Sequence, residues 1–485
     1  MALELELLSV SPAGLAYICL GGFVVAFSTV SLAVKRTLYI NEVVLGTVFG
    51  LVVGPYCLGI FDPRAWGVAA DVITLELMRV VLATGLFAIG VELPGSYMAK
   101  HARGLLVLVV PTMAFGWLVV AGTMRLLFPQ LTFVSCLAIA ACLTPTDPII
   151  CSTIVGGSYA LTHVPRPLRL LISAESAAND GLAYPFLSIS IYLTVEASQR
   201  VAFGKWFLVG WLYQVILGVV LGSVLGLIFS YIMSVSLRRG YIDRESYIAQ
   251  YIALALFTIG VANTLGSDDL LAAFACGSAI SWNQSFNQIT ENELFSPVID
   301  FVLNAAAFVY IGAWMPIGEF STGSQPGGSV TSVSPDRLCV LALAVLVLRR
   351  IPSVMLLYRW VPEIDGWRQA LFAGHFGPMG VGAVFVSTLA LGKLPPPNAA
   401  GPPENQQEIL SACLRPIVGF VVLVSIFPLM RYIQETGRFR PVHRDLPEPC
   451  VIKPEEPAPA NEQNNRKGAT DNEGEKLLRD AKPFG

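Results

Sequence analysis

The chain has 485 residues, of which 54% are hydrophobic and 13% charged, against about 25% charged in ordinary soluble domains. That composition excludes a soluble globular protein and points to a polytopic membrane protein, and a formal net charge of -3 gives no sign of a nucleic-acid partner. Its nine cysteines are scattered through apolar segments without metal-ligand spacing and read as small apolar packing residues.

Runs of about 20 apolar residues, the length a helix needs to cross the hydrocarbon core, predict an all-α protein with thirteen transmembrane helices. They fall near 13-34, 38-60, 71-93, 104-128, 132-157, 167-195, 203-236, 246-265, 269-282, 297-318, 337-358, 367-391 and 411-433. The transmembrane domain is therefore expected over 13-433, after a short extracellular segment, 1-12, and before a disordered cytoplasmic tail, 434-485, rich in Pro, Glu, Asn and Lys. Loops after odd-numbered spans carry Lys35, Arg36, Lys100, Arg103, Arg166, Arg169, Arg238, Arg239, Arg244, Arg359 and Arg368, which places the N-terminus outside and the C-terminus inside. Met1 to Glu6 is acidic where the basic n-region of a cleavable signal should be. Asn283-Gln284-Ser285 matches a glycosylation acceptor but falls in a cytoplasmic loop of this topology.

The fifth span contains Leu143-Thr144-Pro145-Thr146-Asp147-Pro148. Its prolines donate no backbone hydrogen bond, so the carbonyls of Ala141 and Thr144 lose helical partners, and Thr144 and Asp147 are biased away from helical geometry. Free carbonyls beside a carboxylate suit a small cation. On the sixth span Ser176, Asn179 and Asp180 share one helical stripe, with Glu175 over Asn179 on the adjoining face. Ala174, Ala177, Ala178 and Gly181 keep the surrounding surface small enough for another backbone to approach. Such polar groups can serve as interhelical glue, but two carboxylates within six residues mark a functional site.

The eleventh span carries Arg349 and Arg350 inside its apolar run. A buried guanidinium needs a counter-charge, and Glu175 is the candidate partner of Arg350, ahead of Glu92 and Asp269, whereas Arg349 has the alternative of snorkelling to the cytoplasmic interface. The twelfth span is broken by His375-Phe376-Gly377-Pro378-Met379-Gly380-Val381-Gly382. The two broken spans are seven positions apart, an odd number, so they run in opposite directions, the arrangement of inverted repeats (spans 1 to 6 and 8 to 13) whose interrupted helices cross at an ion site. The series Gly46/Gly50/Gly54 and Gly218/Gly222/Gly226 read as packing faces, with dimer contacts as the alternative.

Thr-Asp-Pro in the fifth span, Glu-Ser-x-x-Asn-Asp in the sixth, the arginine in the eleventh and Phe-Gly-Pro-Met-Gly-Val-Gly in the twelfth together resemble the sodium/proton antiporters of the cation/proton antiporter superfamily. Ala178 to Phe186 and His375 to Pro378 are most similar to the fungal plasma-membrane alkali-metal cation/proton antiporters. The resemblance implies the sodium/proton antiporter fold, in which a mobile six-helix core with crossed broken helices moves against a scaffold that also forms a homodimer in the plasma membrane. It further implies that Asp180 is the carboxylate that carries cation and proton. Ser176, Glu175, Asp147 and oxygens from Thr144 to Thr146 would complete the Na+ site, Asn179 would support the unwound segment, and Arg350 would pair with Glu175. Pro378 departs from the best-known animal pattern, and the short tail leaves no room for the regulatory domains of some relatives.

The expected activity is exchange of Na+, Li+ or K+ for H+, with both ions competing for one buried carboxylate. No nucleotide-binding Gly-x-x-x-x-Gly-Lys-Ser/Thr loop is present and no cofactor is expected; the ions are cargo. Rival classes are a cation channel, which ordinarily draws its ring of acids or carbonyls from repeated subunits, and an intramembrane aspartyl protease using Asp147 and Asp180, whose usual Gly-x-Gly-Asp motif is absent.

Overall fold

The computed structural model describes residues 10-37, 42-156, 158-283, 295-324, 333-396 and 405-426. The tail expected over 434-485, most of the N-terminal segment, and Gln284 and Ser285 of the acceptor motif lie outside the described residues. In hydrocarbon every backbone polar group must be satisfied within the protein, so apolar runs of this length become helices. Among the described residues the elements are helical and no strand occurs, and each of the thirteen predicted ranges holds helix. Among the described residues seven helices are long and apolar enough to cross a membrane and five further apolar ones are shorter. The ninth, Asp269–Ile280, has 12 residues. It rises only about 18 Å against the roughly 30 Å of the hydrocarbon core. Length and composition thus define a polytopic helical protein and leave the count of crossings to topology.

Pairwise packing carries the signature of an inverted repeat. If spans 1 to 6 correspond to spans 8 to 13, the contact of the second span with the tenth is the counterpart of the ninth with the third, and both pairs pack. The contacts of the fourth with the sixth and of the third with the fifth recur in the same way, as eleventh with thirteenth and tenth with twelfth.

Glycines allow the closest of these approaches. A Cβ on Gly50 would lie 2.9 Å from Gly312 Cα of the tenth span, and one on Gly222 would lie 2.9 Å from Ala272 Cα of the ninth. Both predicted glycine series are therefore packing faces within the chain.

Five elements differ from expectation. The second span is helical over Glu42–Val53 and turns from Gly54, and the fourth divides into Ala102–Val109 and Pro111–Leu127, where Pro111 lacks the N–H that the Val107 carbonyl would need. The eleventh span, expected to run unbroken, divides into Pro335–Leu348 and Ile351–Leu357. Pro352 withholds the N–H that the carbonyl of Leu348 would need, and the break falls on the two arginines. The seventh runs as one helical stretch from Gln199 to Arg238 but is π-helical over Trp206–Ile216. The sixth bends at Leu182, between Arg166–Gly181 and Ala183–Val195. The thirteenth is described as Gln406–Ile426, so the last residues of its expected range lie outside.

Candidate ion-binding site

The fifth span is Phe133–Leu143 and Pro148–Val155 with an unwound link between them, and the twelfth is Trp367–His375 and Val381–Leu391. The two links meet: the Asp147 N–H donates to the Pro378 carbonyl at 2.8 Å. Asp147 is extended (φ -65°, ψ 117°), as the following proline dictates. Thr144 departs from expectation and stays helical (φ -83°, ψ -41°), because its hydroxyl donates to the Ala140 carbonyl at 2.6 Å and holds the last turn.

Unwinding leaves backbone groups that the buried side chains must satisfy. Arg349 does not snorkel. It is 4% exposed, and Nη1 donates to the carbonyls of Leu143, Thr144 and Pro145 at 2.6, 3.0 and 3.1 Å while Nη2 donates to Gly377 O on the other link. A tethered cation thus occupies the carbonyls at Thr144 that the resemblance assigned to Na+. Asp147 serves the opposite ends. Its Oδ1 accepts from the N–H groups of Ile149 (2.9 Å) and Ile150 (3.0 Å), and Oδ2 accepts from Gly382 (3.2 Å), so one carboxylate faces the positive ends of both second half-helices.

Glu175 binds Arg350 through two bonds of 2.6 Å, Nη1 to Oε1 and Nη2 to Oε2, and Arg350 Nε donates to Ala373 O at 2.9 Å. Asp269 belongs to another pair, with Arg79 of the third span. Asn179 donates to Glu175 Oε1 at 2.7 Å, and its Oδ1 accepts from the Thr146 N–H at 3.1 Å and from its hydroxyl at 3.3 Å. Asn179 therefore ties the sixth span to the unwound fifth. Ser176 Oγ donates back to Ser173 O at 3.0 Å.

Asp180 is different. It is 2% exposed, and neither carboxylate oxygen has a hydrogen-bond partner among the described residues. Its carboxylate faces Gly382, where any side chain would collide with it. It also lines a cavity of about 190 Å³, together with Asp268, Asp269, Arg79, Tyr184 and Lys393. At the crossing two arginines oppose Glu175 and Asp147, which leaves Asp180 as the negative charge in excess. One monovalent cation on Asp180 makes the crossing neutral.

The structure adds residues that the sequence reading passed over. Arg79 sits in the third span, bonded to Asp269 and 3.2 Å from Glu76, with its guanidinium 5.5 Å from the centre of the Phe385 ring. An arginine inside an apolar run is itself a signal. Asp268 caps the short ninth helix by accepting from the Leu271 N–H at 2.8 Å. It is buried because that helix packs against the third, sixth and seventh spans.

Over residues 23–431 the chain matches the transmembrane sodium/hydrogen exchanger family, and it belongs to that family. It is 43% identical over 424 residues to a probable Na+/H+ antiporter of Schizosaccharomyces pombe, an alignment covering 86% of this chain and 55% of that protein. It is also 43% identical to a Na+/H+ antiporter of Saccharomyces cerevisiae, over 87% of this chain and 43% of that one. A second Na+/H+ antiporter of Schizosaccharomyces pombe is 36% identical, over 86% of this chain and 89% of its own length. The chain thus spans about half the length of the first two relatives and most of the third. Its fold is similar to that of the sodium proton antiporter MjNhaP1 from Methanocaldococcus jannaschii at pH 8, with a TM-score of 0.61 at 15% identity, covering 86% of this chain and 99% of that one.

Proposed function

We propose that this protein is a secondary transporter that exchanges Na+ or Li+, and K+ if the cavity admits it, for H+ across the plasma membrane by alternating access, one for one. The observation that carries the reading is that Asp180, which lines a cavity, has no hydrogen-bond partner among the described residues, whereas Asp147, Glu175, Arg349 and Arg350 beside it are engaged. A bare carboxylate removed from water is costly, so Asp180 is stable when it holds a proton or a cation, and the two exclude one another. If the crossed helices reorient with either ligand and poorly without one, a gradient of one ion drives the other. The names of the fungal relatives support the same activity.

In this reading Asp180 carries the ion, Ser176 and Asp147 lie next to it, and Glu175, Arg350, Asn179 and Thr146 hold the crossing together. The scaffold helices provide a homodimer contact, and the protein has its N-terminus outside, its C-terminus inside, and a part in salt tolerance and pH homeostasis. A protease dyad fits the geometry poorly, since Asp147 is committed to three backbone N–H groups. The test is purified protein in liposomes, with proton movement recorded against each alkali cation. Asp180→Asn should insert and fold normally and show no sodium-driven proton flux, because an amide cannot cycle a proton. Flux near the normal rate in that variant would refute the assignment.

A further inference from the structure

The cavity that reaches Asp180 also carries a lysine. Lys393 follows the end of the twelfth span by two residues and lines the cavity, as Asp180 does. Its Nζ donates to Tyr184 Oη at 2.9 Å and lies 4.8 Å from the centre of the Tyr184 ring. Tyr184, four residues beyond Asp180 on the sixth span, is on the same cavity wall. The other charged groups there are Asp180, Asp268, and Asp269 with its partner Arg79. Lys393 has no carboxylate partner among the described residues, its recorded bond being to the phenol. Access to a cation site gains from negative charge, which concentrates cations. A lysine fixed in that path by a tyrosine does the reverse.

We propose that Lys393, held by Tyr184, sets a low cation affinity for Asp180 on the face to which this cavity opens. The inference deepens the exchange reading and rests on it. The positive-inside orientation puts the loop after the twelfth span outside, so the effect is to favour release of Na+ to the exterior and to limit its rebinding. Na+ and H+ each add one positive charge to Asp180, so a remote like charge opposes both to the same degree. A contact that fitted only one of them would not.

The experiment measures external half-saturation by Na+ and external half-inhibition by H+ in sealed, oriented vesicles containing the full chain. Lys393→Gln should lower both concentrations by one common factor, about three- to ten-fold for an ion pair interaction across a partly wet cavity. Lys393→Arg, which keeps the charge, should leave both near their original values. Tyr184→Phe should move both in the direction of Lys393→Gln by less, since it releases the lysine without removing it. Constants unchanged in Lys393→Gln, or Na+ shifted with H+ unmoved, would overturn the inference while exchange by the unaltered protein stood. Absence of exchange in the unaltered protein would instead remove the functional reading beneath it.

Discussion

At the residue scale the crossing is a set of buried charges with assigned partners. The bidentate contact of Arg350 with Glu175 joins two buried side chains, 5% and 1% exposed. Breaking such a pair from one side typically costs about 3 to 5 kcal/mol, whereas replacing both members can be close to neutral. Glu175→Ala alone and Arg350→Met alone should therefore each destabilise the protein strongly, and Glu175→Ala combined with Arg350→Met should do so by less than the sum. Thermal unfolding of the single and double variants in detergent measures this, and strictly additive losses would mean that the two residues do not interact. Arg349 makes a different demand, because one planar guanidinium reaches carbonyls on both unwound links. Lysine offers a single ammonium and cannot span them. Arg349→Lys should lower the unfolding temperature and reduce transport to a small fraction, as read by the same assay and by flux in liposomes; a variant with full stability and rate would contradict the clamp.

At the element scale, interruption and close approach place these residues. Proline and glycine set both breaks, and the breaks put Asp147 at two half-helix N-termini at once. Glycine sets the approach of the seventh span to the ninth, where a Cβ on Gly222 would meet the backbone of Ala272. Gly222→Val should thus force the helices apart and destabilise by about 1 to 3 kcal/mol, the usual scale of overpacking. Chemical denaturation of the reconstituted variant would show it, and an unaltered midpoint would argue that this crossing yields easily.

The sequence makes the breaks legible because Pro145, Pro148 and Pro378 act on their own backbone. The Glu175–Arg350 pair is legible because each buried charge requires an opposite one. The carbonyl clamp of Arg349 was not, since snorkelling and burial begin from the same residue pattern and only the folded backbone decides between them. The π-helical stretch Trp206–Ile216 left no mark either: a helix that is apolar on all sides has no periodicity from which to read its winding. The burial of Asp268 was not legible, because it depends on how the short ninth helix packs against its neighbours.

At the scale of the whole molecule, packing recurs between the two halves, and on the proposed exchange reading the one crossing faces either side in turn while the charge inventory sets what each turn carries. Asn179 stands beside Asp180 where a second acid could have brought an additional proton, and Glu175 is committed to Arg350. On the proposed reading a single carboxylate titrates in each cycle. The sodium-loaded and proton-loaded forms would then have equal charge, and the membrane field would do no net work on a turnover. A cycle with two protons would instead move one net charge, worth about 2.3 kcal/mol per 100 mV. The most direct measurement is the sodium gradient that just balances a fixed pH difference across proteoliposomes, repeated at several clamped voltages. A balance point set by the pH difference alone is expected, and a balance point that moves steeply with voltage would contradict the assignment of one carboxylate and one ion.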